Sequence, residues 1–311
     1  MTFRLDDHWI WDFWLADDGD TYHLFHLRAP RSLGDPDLRH FNAAIAHATS
    51  HDLHTWTPHG DVLVPAAPGN WDDLALWTGS VVADPRGGWA MLYTACSRAE
   101  DGLVQRIGLA TSPDLATWTR HPDNPVIEAD SRWYELSDDT RWHDLAWRDP
   151  WVMVDPDDDG FHALITARVP DGPTTGAGVI GRAHSRDLVR WEVGAPLTAA
   201  SGLGHLEVPQ VVDLAPESKG RHALVFSYDP DVLRPDRRSP DVTSGSFVVP
   251  MGGPLGPVDL TDMRPLGLPG TYSNKVVRDR DGVLQVLGFV NRPGPDHLTL
   301  TDPTPLASYL A

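Results

Sequence analysis

A nine-residue pattern occurs three times in the chain and constrains its fold more than any other feature. Each copy joins an alternating, strand-like stretch to a Ser-x-Asp-Leu turn and ends on a tryptophan. The copies occupy residues 48–56, 110–118 and 183–191. Their spacings of roughly 62 and 73 residues are typical of one supersecondary unit repeated with loops of variable length. We expect the repeat tryptophans Trp56, Trp118 and Trp191 to pack between neighbouring units rather than to line a site.

The segments around these copies predict further short strands. They are rich in β-branched and aromatic residues and are bounded by Gly, Pro, Asp and Asn. They are Thr21–Leu27, Trp89–Thr94, Gln105–Ala110, Trp151–Val154, His162–Ala167, His222–Tyr228 and Val283–Phe289. No long stretch has a helical period. Because many short strands fill a repeat longer than a hairpin, we predict an all-β fold, a five-bladed β-propeller, forming one domain over residues 1–311.

Charge and composition narrow the possible partners. The net charge of −19 and the pI near 5.0 repel phosphate backbones and anionic lipid, so we expect neither nucleic acid nor membrane as a partner. The first residues, Met1–Asp7, lack the apolar segment of a signal peptide, so we expect a cytoplasmic protein. The 13 tryptophans are first of all core residues, but their rings also stack on the apolar faces of sugars. The sequence does not indicate an oligomeric state.

Three acidic residues stand at matching places in the predicted blades. Asp12 lies inside an aromatic run, Asp149 lies between two tryptophans and before a proline, and Glu207 follows the third repeat copy. A strand follows each of them, as expected for residues of the strand that opens a blade. The residue before a proline is restricted to extended geometry, so we expect Asp149 to be held in that conformation. Because the innermost strands of a propeller line its central channel, we expect the three carboxylates to converge there.

Short segments around these acids resemble a known group of enzymes. Trp11-Asp12-Phe13-Trp14 resembles the levansucrase-type Trp-Asp-x-Trp, and Arg148-Asp149-Pro150 matches an Arg-Asp-Pro motif. Glu207-Val208-Pro209 resembles a Glu-x-Pro motif, and Trp77-Thr78-Gly79-Ser80 is similar to Trp-Ser-Gly-Ser. Thr271-Tyr272-Ser273 resembles a late blade element of the levansucrase type. Together and in this order, the segments resemble the invertase and levansucrase group of furanoside-active enzymes, glycoside hydrolase families thirty-two and sixty-eight.

The resemblance implies a function and a role for each acid. It implies a retaining hydrolase, or a transglycosylase, that cleaves β-fructofuranosides without a cofactor and takes a small carbohydrate substrate. Asp12 would be the nucleophile, Glu207 the general acid and base, and Asp149 the residue that holds sugar hydroxyls in the transition state. A general acid of this kind requires a raised pKa, which we expect from burial or from neighbouring negative charge. The implied substrate-binding residues are Trp11, Trp14, Trp77, Ser80 and Arg148.

Other functions remain open from the sequence. Related five-bladed families include inverting enzymes that act on arabinofuranosides and also use three acids. A non-catalytic sugar-binding propeller is a further alternative, although binding alone does not require a carboxylic acid at the leaving-group position. A phosphorylase requires a cationic phosphate site near the acids, for which Arg148 is the one obvious candidate.

The sequence predicts no metal site. Many histidines occur in the first repeat unit, but none shows a ligand spacing such as His-Glu-x-x-His. These histidines are His23, His26, His47, His51, His54 and His59. The acidic segment 155–160 resembles a calcium loop only in its charge, and its Asp and Gly content favours a solvated hairpin turn.

Overall fold

The computed structural model describes residues 3–136, 142, 144–157, 160–173, 175–214, 222–230 and 244–310. Within these residues, the strands form five antiparallel sheets, each of which is one blade. Blade one contains β1 (His8–Asp17), β2 (Tyr22–Pro30), β3 (Ala44–Ser50) and β4 (Thr57–Leu63). Blade two contains β5 (Ala75–Ala83), β6 (Trp89–Cys96), β7 (Gln105–Ser112) and β8 (Thr119–Arg120). Blade three contains β9 (Arg148–Val154), β10 (Phe161–Arg168), β11 (Gly178–Ser185) and β12 (Glu192–Gly194).

The last two blades complete the ring. Blade four contains β13 (Glu207–Asp213), β14 (His222–Tyr228), β15 (Gly245–Met251) and β16 (Arg264–Leu266). Blade five contains β17 (Thr271–Arg278), β18 (Leu284–Val290) and β19 (Thr304–Pro305), and α1 (Ala307–Leu310) follows it. The first strand of each blade contacts the first strand of the next, from β1 through β5, β9, β13 and β17 and back to β1. These strands are therefore innermost, and the predicted five-bladed β-propeller is confirmed.

The two ends of the described chain meet in blade five. Leu300 forms a β-bridge with Phe289 of β18 on one side and with Phe3 on the other. The Leu300 amide donates a hydrogen bond to the Phe3 carbonyl at 3.0 Å, and the Ile10 amide donates to the Leu298 carbonyl at 3.0 Å. The N-terminal segment thus pairs with the last blade and closes the ring of blades.

The three repeat copies form the turn between the third and fourth strands of blades one to three. In blade one, Asp52 Oδ1 accepts hydrogen bonds from the amides of His54 and Thr55, and Leu53 adopts a φ of 63°. The Trp56 indole then donates to the Leu53 carbonyl at 3.1 Å. The same indole-to-carbonyl bond occurs at Trp118 and Trp191.

The predicted packing role of the repeat tryptophans is visible at the first blade boundary. Trp118 of blade two packs edge-on against Phe25 of blade one, with ring centroids 5.5 Å apart. Trp191 packs against the hydrophobic cluster shared by blades two and three. The tryptophan therefore joins the turn to the core, and the pattern Ser-x-Asp-Leu-x-x-Trp is a folding signal.

The innermost strand of every blade has a β-bulge at a corresponding level. A bulge breaks the pairing register, bends the strand and changes the direction of the side chains next to it. Register breaks lie between residues 11 and 13, 77 and 79, 148 and 151, 207 and 210, and 272 and 275. Three bulge residues, Asp149, Val208 and Ser273, have φ values of 58°, 52° and 51°. The bulges place one ring of side chains around the axis of the propeller.

None of the helices in the described ranges has the length and apolar character needed to cross a bilayer.

Candidate active site

A cavity of about 370 Å³ opens where the five bulges surround the axis. This volume falls within the range of small-molecule sites, roughly 300–1,000 Å³. The inner strands contribute Trp11, Asp12, Trp77, Thr78, Arg148, Asp149, Glu207 and Tyr272. The remaining lining residues are Leu27, Asp37, Arg39, His40, Phe41, Asp144, Asp229, Phe289 and Asn291. All three predicted carboxylates therefore face one cavity, and each comes from a different blade.

Asp12 lies at the bulge of β1 and is half-buried at the cavity wall. Thr78 of blade two donates a hydrogen bond from Oγ1 to Asp12 Oδ2 at 2.8 Å. Burial raises the pKa of Asp12, and the negative charge of Glu207 raises it further, while the Thr78 bond opposes both. The result is a poorly solvated carboxylate with one oxygen fixed in position.

Asp149 is almost completely buried and is held by several hydrogen bonds. Its Oδ2 atom lies 3.0 Å from Thr166 Oγ1 and accepts from the Val208 amide at 3.2 Å, while its own amide donates to Thr94 Oγ1 at 2.8 Å. Burial raises the pKa of Asp149 to about 7, even though the Arg148 guanidinium opposes that rise. The carboxylate is rigid, as expected. The predicted extended geometry is wrong, however, because the bulge gives Asp149 a φ of 58°.

Glu207 lies at the first position of β13, within a network of hydrogen-bond donors. Its Oε1 accepts from Arg148 at 2.8 Å, Oε2 accepts the hydroxyl hydrogen of Tyr272, and His205 Nε2 lies 3.3 Å from Oε2. Burial favours the neutral acid, but His205, Arg148 and Tyr272 together outweigh burial and hold the pKa of Glu207 well below its usual range. The expectation of a raised pKa for this residue is therefore wrong. The polar network, rather than burial, sets its protonation.

Arg148 contacts two of the three predicted acids, Glu207 and Asp149, and also a fourth acid, Asp144. Besides the bond to Glu207, its guanidinium lies 3.8 Å from Asp149 Oδ2 and 3.4 Å from Asp144 Oδ2. It also donates to Gln105 Oε1 at 3.0 Å. A buried guanidinium with this set of partners is fixed in its orientation, and it offsets the repulsion between the neighbouring carboxylates.

Hydroxyl groups on second strands hold the bulges in place. Thr94 of β6 accepts the Asp149 amide, Thr166 of β10 contacts the Asp149 carboxylate, and Ser227 of β14 accepts the Ser273 amide at 3.0 Å. Thr94 and Ser227 reach into the next blade around the ring. The Thr94 and Ser227 bonds satisfy backbone amides that the bulges leave unpaired, and the Thr166 bond holds the Asp149 carboxylate, so the geometry of the cavity depends on all three.

A buried lysine lies beside the acids. Lys275 Nζ donates to the Val208 carbonyl at 2.9 Å and lies 5.8 Å from the centroid of the Trp151 ring. Burial lowers the pKa of Lys275 to about 8, while Asp12 and Asp149 act in the opposite direction. Lys275 therefore adds a second cation to the charge balance of the site.

Two of the three aromatic residues predicted to bind sugar lie at the cavity. Trp11 and Trp77 both line the cavity. The Trp77 indole donates to the His40 carbonyl at 2.7 Å, which ties it to the cavity rim. Trp77 is partly exposed there, in a position suited to stacking on a sugar face, whereas Trp11 is only 2% exposed.

Trp14 and Ser80 do not line the cavity, and their prediction as substrate-binding residues is wrong. Trp14 is fully buried and stacks on Phe25, with ring centroids 6.1 Å apart. Ser80 is buried between blades two and three, where its Oγ donates to the Pro150 carbonyl at 2.6 Å and accepts from the Val152 amide at 2.8 Å. Both side chains stabilise contacts between strands and blades instead.

The cavity rim was not predicted from the sequence. A 3-10 segment between β2 and β3, Pro36–Asn42, supplies four lining residues, including Arg39 and His40. The Arg39 guanidinium lies 5.6 Å from the Trp11 ring centroid. Burial, and then the charge of Arg39, lowers the pKa of His40 to about 3. The segment follows no repeat or motif, so nothing in the sequence alone indicates that it belongs to the site.

The arrangement has the elements of a glycoside-cleaving site. Two carboxyl groups, Asp12 and Glu207, occupy different environments, and a third carboxylate lies beside them. When their environments give two paired carboxyl groups different pKa values, the two groups can take different roles in acid–base and nucleophilic chemistry.

Comparison with known proteins places the chain in a family. Residues 14–249 match the family described as the Glycosyl hydrolases family 32 N-terminal domain. The match begins just after Asp12 and ends before Tyr272. An insoluble isoenzyme of beta-fructofuranosidase from Arabidopsis thaliana is 28% identical over 192 residues, which are 60% of this chain and 30% of that protein. An extracellular sucrase from Zymomonas mobilis subsp. mobilis is 25% identical over 251 residues, which are 67% and 59% of the two proteins. The chain thus spans less than two thirds of these relatives.

Solved structures share the fold. An inulosucrase from Halalkalicoccus jeotgali bound to kestose has a TM-score of 0.72 and 24% identity, over 94% of this chain and 78% of that chain. Fructan 1-exohydrolase IIa from Cichorium intybus has a TM-score of 0.67 and 19% identity, over 98% of this chain and 57% of that chain. At such identities the likeness shows the propeller fold alone.

Proposed function

The chain belongs to glycosyl hydrolase family 32, and on that basis we propose that it hydrolyses β-fructofuranosides such as sucrose or short fructans. The observation that carries the proposal is the convergence of Asp12, Asp149 and Glu207, from three different blades, on one cavity. Relatives named beta-fructofuranosidase and sucrase support the same class of substrate.

Asp12 is the nucleophile in this proposal. Cleavage of a furanoside passes through an oxocarbenium-like transition state, which a carboxylate on one face of the sugar stabilises and then captures as a covalent ester. Asp12 is poorly solvated, so its negative charge acts on the developing positive charge at the anomeric carbon with little screening by water. The Thr78 bond at Oδ2 keeps the carboxylate oriented.

Glu207 protonates the leaving oxygen and then activates water. The donors around it stabilise its ionised form, which is the form that the second, water-activating step requires. The first step requires the protonated form, so Glu207 must take up a proton before cleavage. This requirement favours activity at acidic pH.

Asp149 holds the sugar. A carboxylate that accepts hydrogen bonds from ring hydroxyls contributes to rate when those bonds strengthen in the transition state. The bonds from Thr166 and Val208 fix Asp149, so little conformational entropy is lost when the sugar binds. Arg148 orients the Asp149 and Glu207 carboxylates relative to each other.

Product analysis tests the proposal. Sucrose, 1-kestose and an α-L-arabinofuranoside are each incubated with the protein, and the first-formed sugar is followed by NMR. We expect fructose released initially as the β-anomer, because two displacements retain configuration. Release of arabinose instead of fructose, or binding without turnover, would show that one of the alternative functions is correct. An inverted anomer would show that Asp12 is not a nucleophile.

The cellular location stays a prediction. One relative is named as an extracellular sucrase. Cytoplasmic location is part of the proposal, and fractionation of the producing cells tests it.

A further inference from the structure

Outside the active-site cavity, blade three brings one carboxylate and two imidazoles together. Asp155 follows β9, His162 lies in β10 and His184 lies in β11. Asp155 Oδ2 lies 2.9 Å from His162 Nε2 and 3.5 Å from His184 Nε2. The three donor atoms all lie within 4.8 Å of one another. We propose that these side chains bind a divalent transition-metal ion of the Zn²⁺ type.

The separations fit a four-coordinate metal. Zn–N bonds of about 2.0–2.1 Å and Zn–O bonds of about 2.0–2.2 Å place neighbouring tetrahedral ligand atoms roughly 3.3–3.5 Å apart. The two measured separations, 2.9 and 3.5 Å, lie around this value, so a small side-chain rotation is sufficient. Two imidazole nitrogens and one carboxylate oxygen suit Zn²⁺, Co²⁺ or Ni²⁺, whereas Ca²⁺ prefers oxygen ligands.

The surrounding structure positions the three ligands. His162 and His184 lie directly opposite each other in the β10–β11 register, so the sheet sets their spacing. Asp155 Oδ1 accepts the Asp157 amide at 2.9 Å, which directs Oδ2 towards the rings. A Cβ atom at Gly160 would lie 2.7 Å from His184 Nε2, so the glycine keeps the space beside that nitrogen open. Asp158 and Asp159, from the same acidic segment, lie outside the described residues.

A fourth coordination position is available next to the imidazoles. A cavity of about 260 Å³ is lined by His162, His184, Arg182 and Glu192, among others. Glu192 of β12 lies opposite His184 in the β11–β12 register. It can supply a second carboxylate or hold a coordinated water. Arg182 is the one cation of this lining, and the two carboxylates, Asp155 and Glu192, outweigh it.

Blade one provides an internal comparison. It also places an aspartate after its first strand, Asp18, and histidines in its second and third strands, His23 and His47. There the two rings stack at 5.1 Å with an interplanar angle of 6°, and His23 Nδ1 and His47 Nε2 share a hydrogen bond of 3.0 Å. His47 Nε2 therefore faces the His23 ring rather than Asp18, and of the two imidazoles only His23, with Nε2 3.3 Å from Asp18 Oδ2, lies beside the carboxylate. Within the described ranges, the convergence of three donors therefore distinguishes blade three.

The proposed site lies far from the active site. Asp149 stands near one end of β9 and Asp155 just beyond the other, which at about 3.3 Å per residue separates them by roughly 20 Å. A metal there would join the β9–β10 turn to β10 and β11 without contacting a sugar in the cavity. We therefore expect it to stabilise blade three and to leave turnover unchanged.

Calorimetric titration of the tag-free, chelator-treated protein with Zn²⁺ tests the proposal. His184→Gln removes one ligand, and His54→Gln, at an exposed position of blade one, is the matched control. We expect the His184→Gln protein to bind one Zn²⁺ fewer than wild type and to lose the rise in Tm that Zn²⁺ produces. The His54→Gln protein should keep both. Equal stoichiometry and affinity in all three proteins would overturn the proposal, as would a His184-dependent response to Ca²⁺ equal to that to Zn²⁺.

A second pair of measurements does not depend on removing a ligand. Gly160→Ala keeps all three ligands but crowds His184, so we expect weaker Zn²⁺ binding than in wild type. Wild-type protein loaded with one equivalent of Co²⁺ should show the visible absorption bands of a tetrahedral site. Absence of those bands, or unchanged Zn²⁺ affinity in a folded Gly160→Ala protein, would contradict the proposal even if the His184→Gln protein failed to fold.

Discussion

Replacing Asp149 by asparagine should make the protein more stable and less active. Burial raises the pKa of this carboxyl from 3.8 to about 7, so the folded protein holds the ionised form at a cost. A difference of about 3 pKa units corresponds to up to about 4 kcal/mol between the protonation states. The asparagine side chain keeps the shape of the aspartate and carries no charge, so the Asp149→Asn variant avoids that cost.

The sign of the effect follows from proton binding. Between pH 3.8 and about 7, the folded wild type binds more protons at Asp149 than the unfolded chain does, so this group's contribution to stability falls as pH rises. The Asp149→Asn variant has no ionisable group at this position, so its stability does not fall with pH for this reason. We expect the variant to exceed wild type in unfolding free energy by up to about 4 kcal/mol at pH 8, with the gap closing towards pH 4.

The activity of the same variant should fall. Above a pH of about 7, where Asp149 is ionised, loss of one or two hydrogen bonds between the charged carboxylate and sugar hydroxyls, at about 1.5–3 kcal/mol each, predicts a decrease in kcat/KM of roughly 10- to 10⁴-fold. Urea unfolding followed by tryptophan fluorescence from pH 4 to pH 8, together with initial rates on sucrose, measures both effects. Asp20→Asn, at an exposed position, is the control and should change neither. A variant less stable than wild type at pH 8, or a stability difference independent of pH, would refute the reasoning.

Other substitutions separate the roles of the neighbouring residues. Tyr272→Phe removes the hydroxyl that helps to lower the pKa of Glu207. Because that pKa lies below the raised pKa of Asp12, Glu207 sets the acid limb of the kcat/KM profile, which should move to higher pH, while Tyr22→Phe should not move it. Thr78→Val removes the 2.8 Å bond that lowers the pKa of Asp12, so the alkaline limb, which Asp12 sets, should move to higher pH and kcat/KM should fall about 10- to 100-fold. If the limb does not move in one of these variants, the cause assigned to the pKa shift of that carboxyl group is wrong. Trp14→Ala should lower the unfolding free energy by about 3–5 kcal/mol and leave the KM for sucrose unchanged, because Trp14 lies in the core. A raised KM in the folded variant would show that Trp14 belongs to the substrate-binding site.

The fold and the three acids were predictable because their signals are local. The Ser-x-Asp-Leu-x-x-Trp pattern encodes a turn and its tryptophan cap within nine residues, and the repeat spacing then indicates the blades. The predicted strand His222–Tyr228 has the same bounds as β14. β6, β7, β9 and β10 extend by one to three residues beyond their predictions, whereas β2 and β18 begin one residue later than predicted and end later. Asp12, Asp149 and Glu207 were identified because each lies in a short motif at the beginning of a blade.

The directions of individual side chains were not predictable, because they depend on β-bulges. A bulge between Trp11 and Phe13 changes which residues of β1 face the cavity, so Trp14 points into the core although it follows the same motif. Residues that converge from separate elements also carry no local signal. Arg39 reaches the cavity from a segment without a motif, and the low pKa of Glu207 depends on His205 and Tyr272, which the sequence does not place next to its carboxylate.

The most direct test traps the covalent intermediate on Asp12. β-Fructosyl fluoride has a leaving group that requires no acid, so a Glu207→Gln protein should form the fructosyl ester and then hydrolyse it slowly for lack of a base. Mass spectrometry of the digested protein should find one fructosyl unit on the peptide that contains Asp12, and a Glu207→Gln, Asp12→Asn double variant should show none. An adduct on another residue, or inverted product formed without any adduct, would contradict the assignment of the three carboxylates.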